Sequence, residues 1–100
     1  MGKTEMDGTE QTIFENTELG EYSGYIFLDA LESGDSITIR IYIRDPEDGN
    51  YKKFIEETFT GKLNTPVVRI TPIIGKVGVK VTAEQTSGSY KTITHTWFKR

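Results

Sequence analysis

The chain has 100 residues, 11% of them aromatic, no cysteine and a net charge of -3. That length supports one modest core, the aromatic and β-branched content argues against disorder, and the missing thiols exclude disulfides and thiolate metal sites. An acidic pI of 5.1 disfavours a nucleic-acid partner, and no apolar run approaches the roughly 18–20 residues of a membrane helix.

Residues 1–9 are Gly- and charge-rich without apolar periodicity, which predicts a flexible N-terminal arm ahead of a single domain over residues 10–100. The same polar stretch has no apolar leader core, so the expectation is a soluble chain without a signal peptide or transmembrane segment. A first strand is predicted from Glu10 to Leu19. Adjacent Ile13 and Phe14 would face opposite sides, which suggests an edge strand with a bulge or a strand that changes sheets. A second strand, Tyr22 to Leu28, sets Tyr25 and Phe27 on one face and Ile26 and Leu28 on the other. Leu31 then reads as a buried peg, and Ser33-Gly34-Asp35 as a tight turn whose glycine takes a positive φ.

Ser36 to Arg44 is the clearest strand. Ile37, Ile39, Ile41 and Ile43 alternate with Thr38, Arg40, Tyr42 and Arg44, so one face belongs to the core. The turn Asp45-Pro46-Glu47-Asp48-Gly49-Asn50 leads into a returning strand from Tyr51 to about Thr60. Pro66 to Pro72 is a short strand bracketed by prolines and therefore belongs at an edge. Gly75 to Thr86 alternates again, with Val77, Val79, Val81 and Ala83 on one face; Gly78, on the other, marks a bulge or a close neighbour. Ser87-Gly88 turns the chain into a last strand, Tyr90 to Phe98, with Ile93 and Trp97 at one parity. The pattern is all-β: a two-sheet antiparallel sandwich of about seven strands, immunoglobulin-like or jelly-roll-like.

Charge divides unevenly. Residues 1–50 carry twelve acids against three bases, residues 51–100 nine bases against three acids. Either the halves interleave and their charges meet across strands, or the molecule has an acidic and a basic side that favours head-to-tail contact between copies.

No catalytic constellation emerges, so the chain reads as non-enzymatic, with no catalytic, cofactor or metal residues. The Asp45–Asn50 turn is rich in oxygen ligands, but Pro46 and Glu47 break the calcium-loop spacing; a solvated turn is the simpler reading. His95 is the only histidine and has no motif around it. Glu56 and Glu57 are adjacent, hence on opposite faces, and cannot form a carboxylate dyad. No glycine-rich phosphate loop occurs. Arg40, Tyr42, Arg44 and Tyr90 are the candidate interface: a flat aromatic and basic platform for a protein, a stacking surface for a sugar ring, or ordinary packing. Tyr51, Phe54 and Phe59 are assigned to the core. Trp97 is assigned to its closure, with the indole N–H partly wet.

Tyr25-Ile26-Phe27-Leu28, the Leu31-Glu32-Ser33-Gly34-Asp35 corner, Thr65-Pro66-Val67-Val68-Arg69-Ile70-Thr71-Pro72 and Gly78-Val79-Lys80-Val81-Thr82 together resemble small all-β structural proteins of tailed viruses of bacteria or archaea: head-decoration, minor capsid and tail-associated proteins. The resemblance covers residues 10–98. It implies a catalytically inert module in the virion whose partners are copies of itself or a virus-shell protein, with no nucleic acid or membrane bound. The alternative is a sandwich that binds carbohydrate or another extracellular ligand through exposed Tyr and Arg.

Overall fold

A computed structural model describes residues 2–99, apart from the side chain of Thr71. Eight strands follow one another: β1 Gly2–Glu5, β2 Gln11–Asn16, β3 Gly20–Phe27, β4 Ser36–Arg44, β5 Tyr51–Thr60, β6 Val67–Gly75, β7 Val79–Ser87 and β8 Thr92–Lys99. They form two four-stranded antiparallel sheets, sheet A in the order β1-β8-β3-β6 and sheet B in the order β2-β7-β4-β5. No helix long and apolar enough to cross a membrane occurs among the described residues.

Only β4 and β5 are sequence neighbours that pair; every other connection carries the chain from one sheet to the other. This nesting of two Greek keys in eight strands is the jelly-roll order, not the immunoglobulin one. The isoleucine strand occupies an interior place in sheet B, between β7 and β5. Ile37, Ile39 and Ile41 are buried with Ile26, Ile70 and Ile93 from sheet A, Leu28 just past β3, and Val81 and Ala83 from β7. Leu31 is buried as expected, at 1% exposure, and Gly34 takes a φ of 92°. β2 lies at an edge, and its register with β7 shifts between Thr12 and Phe14. A bulge therefore separates the two adjacent apolar residues.

The N-terminal arm is corrected. Gly2 to Glu5 pair with His95 to Thr92 of β8, and Met6 behind them is 1% exposed. Apolar periodicity cannot appear in a four-residue edge strand whose exposures simply alternate, so the segment reads as polar tail. This strand also raises the count from seven to eight. The first predicted strand shortens to Gln11–Asn16, because Thr17, Glu18 and Leu19 turn the chain toward sheet A.

β6 does lie at an edge. Its register with β3 shifts between Tyr22 and Gly24, which face Ile73 and Ile70. The extra residue lies in the Thr71–Pro72 stretch, where proline has no N–H to give. The bulge resets the parity, so Ile70 and Ile73, three residues apart, both reach the core.

Candidate functional site

Sheet B turns toward solvent a set of polar side chains that satisfy one another. Arg40 reaches three carboxylates: Glu84 at 2.8 Å, Glu56, and Glu10 at 3.6 Å. The hydrogen bond to Glu84, then that to Glu56, holds its guanidinium charged well above its ordinary range. Glu10 accepts 2.6 Å hydrogen bonds from the Thr82 and Tyr42 hydroxyls, and these hold its carboxyl below the usual value. Lys80 lies 5.0 Å from the Tyr42 ring centre and 4.7 Å from that of Tyr51. Burial, then the bond to Glu15, pushes the Tyr51 phenol up to about 12.

The predicted platform is thus only partly assembled. Arg40, Tyr42 and Arg44 share a face of β4, but Arg40 and Tyr42 are committed within the sheet, and Arg44 Nε donates to the Gly49 carbonyl. Tyr90 is separate, on the turn before β8, where a methyl at Gly8 would meet its hydroxyl.

The acidic turn uses its own oxygens. Asp45 Oδ1 accepts from the Glu47 amide and Asp48 Oδ1 from the Asn50 amide. Lys52 Nζ stands 3.0 Å from Asp48 and 3.7 Å from Asp45, so an ammonium already stands against both carboxylates. Gly49, with a φ of 75°, is the turn residue that needs the left-handed region. Among the described residues no group of three or more His, Cys, Asp or Glu is arranged to hold a metal ion.

His95 is 6% exposed in the core margin. Trp97 Nε1 donates to its Nδ1 at 2.9 Å, and Thr4 Oγ1 lies 3.0 Å from Nε2. An indole N–H can only donate. The ring is therefore neutral, with its proton on Nε2 donated to Thr4. Burial holds its pKa below the ordinary imidazole value. The indole N–H is accordingly not wet but bonded inside the fold, and the indole stacks on Phe14 at 4.7 Å between ring centres.

The side of the sandwich formed by β5 and β6 is different. Both are edge strands. Nearly every residue of β5 is exposed. Phe54, read as core from the sequence, is 59% exposed, beside Ile55 at 39% and Ile74 at 71%. With Ile43, Pro72 and Ile73 they line an open apolar groove between the sheet edges. The reason lies in a register shift: Ile41 faces Ile55 but Tyr42 faces Lys53, so Phe54 is an extra residue bulged out of β5. Periodicity carries no trace of that displacement; the doublets Lys52-Lys53 and Glu56-Glu57 around Phe54-Ile55 were the available sign that this strand is not core.

A second exposed surface lies on the outer face of sheet A. Tyr25 and Phe98 meet edge to face at 6.4 Å, and with Ser23, Arg69 and Pro72 they border a shallow hollow of about 190 Å³. This aromatic and basic surface, rather than the one on β4, is where Tyr and Arg stand free of the ion network.

No family model, curated protein or solved structure matches this chain.

Proposed function

We propose that this chain is a non-enzymatic structural protein that assembles through protein–protein contacts, with copies of itself or a virus-shell protein as partner. The observation that carries this reading is the apolar groove between the β5 and β6 edges, where Phe54, Ile55 and Ile74 stand in solvent. Exposed apolar groups gathered at open strand edges favour a partner chain, and an edge offers unpaired backbone N–H and C=O groups to it. The displaced pKa values belong to groups held in ion pairs, hydrogen bonds and turns or, at Tyr51 and His95, shifted first by burial, which supports an inert module. The jelly-roll order is shared by capsid domains, though a fold alone does not assign a function. Together with the resemblance described above, it supports a place in a virus particle.

A ligand-binding reading has one observation in its favour: the Tyr25–Phe98 pair beside Arg69, since jelly rolls also include lectins. Light scattering after size-exclusion chromatography, with capture by shell proteins, separates the two. The wild type forms an oligomer or a shell complex, and the double variant Phe54→Ser, Ile74→Ser loses it while remaining folded. Wild type that is monomeric, binds no shell protein and instead binds sugars through Tyr25 would overturn the assembly reading.

A further inference from the structure

β5 is an edge strand ten residues long, exposed along most of its length. Its middle reads Lys52-Lys53-Phe54-Ile55-Glu56-Glu57, two cations and two anions about an apolar pair. Such a segment is complementary to its own reverse.

Whether two copies can use that complementarity depends on the backbone. A two-fold axis perpendicular to a sheet pairs residues that lie on the same face of their strands. In a regular strand Lys53 and Glu56 would lie on opposite faces, as would Lys52 and Glu57, so the charge pattern would be wasted. The bulge at Phe54 removes the conflict. Lys53 and Glu56 stand opposite Tyr42 and Arg40, on the solvent face of sheet B. Lys52, Ile55 and Glu57 stand opposite Ile43, Ile41 and Ile39, on the isoleucine face. An antiparallel β5 pair centred on Ile55 then sets Ile55 against its copy, Lys53 against Glu56 and Lys52 against Glu57, every pair on one face.

The neighbouring two-fold registers are unfavourable. Sliding by one pair in one direction sets Lys53 against Lys53, and in the other Glu56 against Glu56. Like charges directly opposite destabilise a ladder. Charges and bulges on an edge normally hinder indiscriminate pairing; here the same devices leave one self-pairing register open. Glu57 makes no ion pair or hydrogen bond with another described residue and is exposed, so its charge remains available. Lys52 is 57% exposed despite its contacts with Asp45 and Asp48.

We infer that two copies of this chain pair through β5 in the register centred on Ile55, joining their four-stranded sheets B into one continuous sheet. This rests on the assembly reading above and names its contact. The groove residue Phe54 of each copy lies beside the two-fold axis, so apolar surface is covered as the strands join.

The test uses sedimentation equilibrium on wild type, Lys52→Glu and Glu57→Lys, each checked for native circular dichroism. Wild type dimerises. Each single variant sets two like-charge pairs across the axis and weakens the dimer about tenfold or more. Mixing the two variants restores a heterodimer, because Glu at 52 then faces Lys at 57 and the native pair remains on the other side of the axis. Carrying both substitutions in one chain restores the homodimer. Wild type that stays monomeric to its solubility limit overturns the proposal, while the assembly reading still stands if a shell protein is captured. An oligomer unaffected by either single variant also overturns it, and places self-assembly on another surface.

Discussion

His95 sits between the Trp97 indole N–H, which donates to it, and the Thr4 hydroxyl, to which it donates. Its Nδ1 receives the Trp97 indole N–H, so a proton arriving there would set two N–H groups against each other. Burial already keeps the ring's pKa below its ordinary 6.5. The unfolded chain therefore takes up the proton first as pH falls. The contribution of the neutral ring is fully present above about 6.5, declines below it, and levels off once the lower native pKa is passed. Denaturant midpoints should fall as pH drops below about 6.5, with a matching change in the emission of Trp97, the only tryptophan. In His95→Asn this part of the pH slope disappears; an unchanged slope would count against the buried neutral ring. Gly24 completes the arrangement, since a methyl there would collide with the Trp97 ring and the Thr96 carbonyl. The sequence marked His95 as near the core, but its hydrogen bonds join residues far apart in the chain and no local pattern encodes them.

Among the elements, β4 and β1 stand at opposite ends of legibility. β4 is written in a period of two because one whole face is buried, and alternation is what burial of one face selects. β1 is short and at an edge, and its stabilisation comes from its partners: the ladder to β8, the Thr4 contact with His95 and the Met6 amide donating to the Lys91 carbonyl. Removal of residues 1–6 should therefore lower unfolding free energy by about 3 kcal/mol or more, chiefly from uncovering Ile93 and losing buried Met6. Urea denaturation of the truncated chain checks this; a midpoint equal to that of the full chain would restore the mobile arm. The sequence places β5 correctly but reads Phe54 as core, because the bulge moves this residue out of the core without changing the composition of the strand.

At the scale of the whole molecule, the two charge halves meet. Lys99 pairs with Glu18, Lys91 with Glu32 and Asp35, and Lys52 with Asp45 and Asp48, so acids from the first half neutralise bases from the second across the sandwich. One of these acids has a structural task of its own. Asp35 is 3% exposed; its carboxylate accepts from the Glu32 and Ser89 amides, and its carbonyl accepts from Gly61. It thereby fastens together the β3–β4 corner, the end of β5 and the β7–β8 turn. Gly88, with a φ of 88°, passes so close that a methyl would strike the carboxylate. Buried Gln85 holds the same turn through the Ser87 and Ser89 carbonyls and the Lys91 amide. Asp35→Ala removes a buried charged acceptor from the part-buried Glu32 and Ser89 amides and should cost about 2–3 kcal/mol in chemical denaturation. A loss within about 0.5 kcal/mol, the ordinary range for surface changes, would show that this end of the sandwich does not depend on it.

The sequence by itself determined the strand-rich class, the interior isoleucine strand, the glycine turn at Gly34 and the edge position of the proline-bracketed strand. Each of these is set by local stereochemistry or by a period that one buried face imposes. Only the tertiary structure decided that the order is a jelly roll, that residues 2–5 are a strand, that Tyr25 and Arg69 rather than Tyr42 and Arg40 stand free, and that Phe54 leaves the core. Those outcomes depend on which strands become neighbours and where a single inserted residue shifts the register. Both are properties of long-range pairing, which side-chain alternation along one strand does not record.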